Sequence, residues 1–377
     1  MGMARQRNMR GKPQAQPDFL TVVNLNTCVP ADHPLRAIKR HVDAVLQRLS
    51  PLFEELYADT GCPSVPPEQL LKARVLIALY SVRSERLFCE QPGYNLLWLW
   101  FLDREFSAGS FDHSTFSKNY ERVLSADVGK LFFAEAYQLS RQAGWTSDEH
   151  FSADGTLIES WASLKSFVRK DGADQKKVAA AKDDDPGNPT IDFRGERRRN
   201  QTHQSTTDPE SVLYRKAKGQ EAKLCFGAHL LMENRQGLCA DFTLHNPIAE
   251  PEPAAALQQL DGHKKLYEGV APKTIGADQN YHRQDFVRGC RQRQVRPHVA
   301  CKENVKVPGL DRRTTGTKTY TISQRIRKRV EEIIGWLKTI GGLRRSRYRG
   351  IERTQAWGYF VAATYNLLRM ARLGLAG

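Results

Sequence analysis

A carboxylate inside a strand narrows the choice of folds more than composition does. The run HFSADGT at residues 150–156 is short, alternating and strand-like, and Asp154 stands in it. A second run, PKTIGADQNY, reads as a strand ending in an acidic turn at Asp278. A charge in such a small, apolar setting is costly unless it is paired or bound to a cation. Residues 321–350, TISQRIRKRVEEIIGWLKTIGGLRRSRYRG, supply the opposite situation. Between positions 321 and 353 there are ten Lys/Arg and three Glu, and adjacent Glu331 and Glu332 sit in the middle of a basic helix predicted over 323–340. Solvated i,i+4 salt bridges, such as Arg327 with Glu331, are one reading of that helix. A metal-binding carboxylate held where a polyanion lies against the protein is the other.

The charge of the whole chain bears on that choice. Its 377 residues carry 57 Lys+Arg against 42 Asp+Glu, a formal net charge of +15. Nucleic acid is the first anionic partner to consider and a membrane surface the second. The longest strongly apolar run, Leu96–Leu102, has seven residues, far short of the roughly 20 that span a bilayer. The polar, basic N-terminus has no apolar segment of a secretory signal and reads as a flexible arm over 1–31. Seven cysteines, an odd number with no CxxC spacing, point to a reducing cytosol and away from a disulfide framework or zinc finger. No GxGxxG, P-loop, HExxH or GxSxG is present.

Along the chain, 32–145 reads as all helix. Asp32 is a candidate cap for a helix with the stripe Leu35, Ile38, Val42, Val45, Leu46 and Leu49, which Pro51 ends or kinks. Pro66–Pro67 opens a helix apolar on every side, and FDHSTFSKNYERVL buries Phe116, Tyr120, Val123 and Leu124. That last segment turns Lys118, Asn119 and Arg122 outward, a mix suited to a helix entering a major groove. Residues 146–377 differ in character. A strand at 150 is followed by a polar stretch at 163–222, with thirteen Lys/Arg and ten Asp/Glu, that reads as disordered or ordered on a partner. Then come a hairpin of two strands turning at NRQG, a helix, the strand before Asp278, a helix, a strand, the basic helix and a final amphipathic helix. Three antiparallel strands followed by two that alternate with helices make a mixed sheet with helices on its faces.

If the strands of Asp154 and Asp278 are neighbours, both carboxylates emerge on one edge, and a helix packed there brings Glu331 to the same point. Three convergent carboxylates are hard oxygen ligands for a divalent ion, Mg²⁺ above all, and two ions ~4 Å apart activate an attacking hydroxyl and stabilise a leaving oxygen. On a regular helix Arg327 and Lys338 share a face with Glu331, while Glu332 points about 100° away. Glu159, an odd number of residues from Asp154, faces the other side of its strand.

The order of elements looks like a ribonuclease H-like fold. The strings SADGTLIESWASLKSF, GADQNYHRQDFV and ISQRIRKRVEEIIGWLKTIGGLRRSRYRG resemble DDE transposases of bacterial insertion sequences, in the family founded on insertion sequence five. VPPEQLLKARVLIALYSVRSER and FDHSTFSKNYERVL are similar to the helical domain that precedes catalysis there. The resemblance implies that Asp154, Asp278 and Glu331 are catalytic and metal-binding. Of that family's pattern of Tyr, Arg, Glu and Lys, Arg327, Glu331 and Lys338 match, and Gln324 stands in place of the Tyr.

The expectation is therefore an α/β protein: a ribonuclease H-like five-stranded mixed sheet with flanking helices, preceded by an all-helical DNA-binding domain. Its activity would be Mg²⁺-dependent cleavage at an element's terminal inverted repeats and transfer of the 3′-hydroxyl ends into target DNA, with Mn²⁺ able to substitute. Arg327, Lys338, Arg344, Arg345, Arg347, Arg349, Lys118, Asn119 and Arg122 would contact double-stranded DNA. A homodimer in a bacterial, cytoplasmic, nucleoid-associated setting would carry this out, with no membrane involved. A domesticated DNA-binding relative and a plain metal-dependent nuclease are the alternatives.

Overall fold

The computed structural model describes residues 24–57, 64–147, 149–171, 192–193, 196–215, 221–267 and 272–375. Most of the expected arm, Cys62 and much of the 163–222 stretch lie outside them.

The helical part opens with α1 (Pro34–Leu56), whose predicted stripe is buried throughout. His33, not Asp32, is its cap: the ring Nδ1 accepts from the Leu35 amide at 3.2 Å. Pro51 remains inside α1, because so near the C-terminus it removes one backbone bond without a following helix to misdirect. Next come α2 (Pro67–Leu79), buried on all sides from Leu70 to Ala78, and α3 (Leu96–Leu102), formed by the apolar run. FDHSTFSKNYERVL makes two single turns, Thr115–Lys118 and Tyr120–Val123, broken at Asn119. The four apolar residues predicted for its inner edge are nonetheless buried. Helix α4 (Ala126–Gln142) is capped by Ser125 and ends the helical part.

The sheet contains β1 (His150–Glu159), β2 (Val212–Tyr214), β3 (Lys223–Glu233), β4 (Leu238–His245), β5 (Thr274–Ala277) and β6 (Arg296–Val299). Its order is β6-β5-β1-β3, and β4 and β2 divide the far edge of β3 between them. β3 runs antiparallel to β1, β2 and β4, whereas β5 and β6 run parallel to β1. The β3–β4 turn places Gly237 at φ +69°, a conformation glycine adopts without penalty. The five expected strands therefore pair as a ribonuclease H-like sheet. Strand β2 is a sixth, supplied by the polar stretch after β1.

One face of the sheet is covered by α5 (Glu252–Leu266) and α6 (Gln284–Gln292), with Phe151, Ala153, Ala256, Leu260, Ile275 and Phe286 in a single cluster. Over the other face run α7 (Lys318–Ile326), a 3₁₀ turn at Arg327–Arg329, and α8 (Val330–Thr339). The single helix expected at 323–340 is thus two helices with a tighter turn between them. Helix α9 (Ile351–Leu375) closes the chain. From Ala356 to Leu367 it is buried all round, not amphipathic, because β4 packs on one side of it and α1, α2 and α4 on the other. One hydrophobic core consequently joins Leu70, Phe116 and Phe132 to Ile158, Leu230, Phe242, Ile333 and Phe360.

Candidate active site

Register decides where the two aspartates stand. In the parallel pairing of β1 with β5, Phe151 lies opposite Ile275 and Ser152 opposite Gly276. Asp278 follows β5 directly with an extended backbone (φ −79°, ψ −175°), so the same register continued by two residues sets Asp154 beside Asp278. Side chains two apart on a strand share a face. Ser152 Oγ would lie 3.2 Å from a Cβ built on Gly276, and Arg327 Cβ 3.5 Å from it. The face that carries Asp154 is therefore the one crossed by the α7–α8 segment. Each aspartate is half-buried and has its carboxylate oriented locally: Asp154 Oδ1 accepts from Gly155 N and Asp278 Oδ1 from Asn280 N, both at 2.8 Å.

The helices above are anchored to β6. His298 Nδ1 and Ser323 Oγ are 2.7 Å apart, Tyr320 OH donates to Val299 O at 2.9 Å, and Gln324 Nε2 donates to His298 O. Gln324 Oε1 accepts from Arg327 Nε at 3.0 Å, so one amide ties this arginine to the sheet. Glu331 is exposed in the first turn of α8, which packs against β1. Lys338 lies two turns further along α8, on the same helical face. The 3₁₀ turn changes the helical phase before Glu331, so Arg327 does not share a continuous α-helical face with it.

The predicted arginines fall into two groups. Arg344 and Arg349 are exposed. Arg345 donates from Nε to Ser160 O and from Nη2 to Trp161 O, which fastens its guanidinium to the end of β1. Arg347 Nη1 donates to Val82 O, and its guanidinium lies 5.1 Å from the Trp357 ring centre. Burial pushes its pKa down. Arg347 thus sits in the seam between the helical part and the sheet. In the same seam, fully buried Arg74 donates to Glu85 at 2.5 Å and to Tyr348 OH at 2.6 Å. In the helical part Lys118 is exposed, Asn119 Nδ2 donates to Thr115 O at 2.9 Å, and Arg122 stacks 4.9 Å from the Tyr57 ring centre.

Sequence reasoning missed Glu252 at the start of α5. A Cβ added to Gly155 would meet its Oε1 at 2.6 Å, so glycine after Asp154 leaves room for this carboxylate. Burial, followed by the charges of Glu252, Asp154 and Asp278, holds the Tyr281 phenol well above its usual pKa. In sequence an acidic residue at a helix start is an ordinary complement to the helix dipole, so nothing marked it out. Glu159 is paired with Lys223 at 2.6 Å, away from this centre.

Two families match the chain. Residues 23–122 match a family described as "Transposase domain (DUF772)", and residues 193–367 match the "Transposase DDE domain". The chain is a DDE transposase. The second match includes Asp278 and Glu331, and Asp154 lies before it. No curated protein matches the chain significantly in sequence. Among solved structures, it is similar to the piggyBac transposase synaptic complex with hairpin DNA at 9% identity, covering 93% of this chain and 77% of that one with a TM-score of 0.42. The Mos1 strand transfer complex is similar at 10% identity, covering 84% and 81%, with a TM-score of 0.21. Likeness at these levels carries no residue-by-residue correspondence.

DDE transposases depend on divalent metal, and the donor set here is of the right kind. Asp154, Asp278 and Glu331 offer carboxylate oxygens, the ligands hard cations take. Among the described residues, no three His, Cys, Asp or Glu side chains are close enough together to hold an ion. The strand pair is in register, and Glu331 is exposed on the helix that crosses the same face. Among those residues, too, no helix is long and apolar enough to cross a membrane.

Proposed function

We propose that this transposase cuts the ends of its own insertion sequence and joins the freed 3′-hydroxyls to target DNA, using Mg²⁺ held by Asp154, Asp278 and Glu331. One observation carries the reading: the register that sets Asp154 beside Asp278, on the face crossed by the helix bearing Glu331. Bound divalent ions would supply Lewis acidity to the attacking and leaving oxygens of the phosphodiester. The chain's own part is positioning. The two strand carboxylates form the fixed side of the site, and Glu331 the side that closes. Arg327, held by Gln324, faces the scissile strand, with Lys338, Arg344 and Arg349 along the duplex. Lys118 and Arg122 are the side chains of the helical part offered to the inverted repeat. The quoted motifs support membership of the insertion sequence five family. Synapsis of two ends supports a homodimer, the cysteine usage a reducing cytoplasm, and the likeness to bacterial insertion-sequence transposases a bacterial, nucleoid-associated setting.

The test is a strand-transfer assay on duplexes carrying the DNA ends that border the gene, with Mg²⁺. Cleavage and joining, both lost in Asp278→Asn while binding is kept, is the expected result. Cutting without joining would make the chain a nuclease. Binding without cutting would make it a domesticated DNA-binding protein.

A further inference from the structure

A basic pocket lies outside the reaction centre, on the part of the chain between β1 and β3. It has a volume of about 460 Å³ and is lined by Arg198, Arg199, Asn200, Tyr214 and Arg215 among others, with no carboxylate in its lining among the described residues. Its frame is built from paired backbone and side-chain bonds. Asn200 Oδ1 accepts from Leu213 N, and its Nδ2 donates to Leu213 O, both at 2.8 Å. Lys170 Nζ donates to Asn200 O at 2.9 Å and Arg198 Nη1 to Leu164 O at 3.2 Å. Leu213 and Tyr214 belong to β2, which pairs with Leu224 and Lys223 of β3. The pocket is therefore fixed to the edge of the catalytic sheet. Arg199 and Arg215 are exposed from this frame. An open site with several guanidiniums and no acid in its lining among the described residues suits a phosphodiester backbone.

Its position relative to Asp154 narrows the ligand. β1 runs five residues from Asp154 to Glu159, about 17 Å at ~3.3 Å per residue. Glu159 pairs across the ladder with Cys225, and Cys225 with Val212, so the pocket begins where that line ends. With two inter-strand steps of ~4.8 Å added sideways, the pocket begins about 20 Å from Asp154, which along a duplex is about six base pairs at ~3.4 Å each. Between the two stand Glu159, paired with Lys223 at 2.6 Å, and the cations Arg344 and Lys338.

We propose that this pocket holds the backbone of the duplex about six base pairs from the scissile bond, with Arg199 and Arg215 each taking a phosphate. The proposal rests on the transposase reading of the aspartate site. It adds a contact on the 163–222 stretch, for which composition gave no role beyond disorder or ordering on a partner.

The experiment compares the full chain with its Arg199→Ala/Arg215→Ala variant, binding fluorescent duplexes from the DNA bordering its gene across a range of salt. Each lost phosphate contact lowers the slope of log K against log salt by about 0.9. The expected change is a fall in slope of about 2 and, at 0.1 M salt, a loss of affinity on the order of 10–100-fold. Duplexes ending about three base pairs from the cleavage point should not distinguish the two proteins. A control pair, Lys264→Ala/Arg288→Ala, removes the same charge from exposed positions on α5 and α6. An equal fall in slope for the control would reduce the effect to bulk charge and overturn the pocket. If the wild type binds and cleaves but the double variant keeps its slope, this proposal alone fails. If the wild type binds none of these duplexes, the reading of the aspartate site fails with it.

Discussion

In the proposed site, the two strand-borne aspartates and the helix-borne glutamate are placed by different physical routes. Asp154 and Asp278 are placed by a ladder: once β1 and β5 pair in parallel, their neighbourhood follows from counting residues. Glu331 is placed by packing, through α7 anchored on β6, a 3₁₀ turn and the first turn of α8. A ladder slips only by whole residues, and each slip turns every side chain to the other face. A helix resting on a sheet can rotate or slide by small amounts. In the proposed site the strand side is therefore the more tightly fixed, and any closure on a metal would fall to the helix side.

The largest effect is expected at the strand pair. Asp154→Asn or Asp278→Asn should lower end cleavage by about 10³-fold or more, on the order of 4 kcal/mol of transition-state stabilisation, with DNA binding retained. Single-turnover cleavage of a labelled duplex measures this. Full activity in either variant would remove the ladder from the account.

The next effect concerns the anchor of the helix side. Burial, and then the neighbouring Arg296 charge, holds the His298 imidazole at a pKa of about 4, against ~6.5 when unfolded. A base with a depressed folded pKa gives stability that is complete above the unfolded value. That stability is lost as the pH falls from about 6.5 toward 4. At pH 5 the loss is about 2 kcal/mol, and it should fall first on α7, whose Ser323 touches the ring. Hydrogen exchange at pH 7 and pH 5 should show α7 amides losing protection while β1 and β5 keep theirs. His298→Asn should flatten the pH dependence of the urea midpoint. Equal loss in strands and helix would erase the distinction between the two sides.

The smallest effect tests the link between helix and sheet. Gln324→Ala should weaken binding of a gene-border duplex about tenfold by releasing Arg327, and should do nothing more in an Arg327→Ala background. Additive losses would show that Gln324 works by another route.

What the sequence made legible follows the same division. Strand alternation with an embedded acid identified β1 and the end of β5, because a period of two and a charge in an apolar run are local signals. The hairpin was equally visible, since Gly237 and its polar neighbours set the turn locally. The helix side was legible in composition but not in shape. Nothing in Arg-Lys-Arg at 327–329 distinguishes a 3₁₀ turn from an α-helix, and the turn arises where α7, clamped on β6, gives way to α8 packed on β1. The seam was harder still. Arg347 reads as one more surface cation in a basic cluster, yet α9, buried all round by partners distant in sequence, draws it against Trp357 and Val82. In the same way Asn119 interrupts a helix that its apolar spacing had predicted as continuous. Strand β2 was hidden in a polar stretch because an edge strand needs only three residues and a partner.

The central claim is that two strand carboxylates and one helix carboxylate act as a single metal site. Electron paramagnetic resonance titration of Mn²⁺ into the chain with a gene-border duplex tests it without relying on turnover. Binding should be lost in Asp154→Asn and Asp278→Asn, weakened in Glu331→Gln and unchanged in Glu332→Gln. Wild-type binding in Asp154→Asn, or a loss confined to Glu332→Gln, would contradict it.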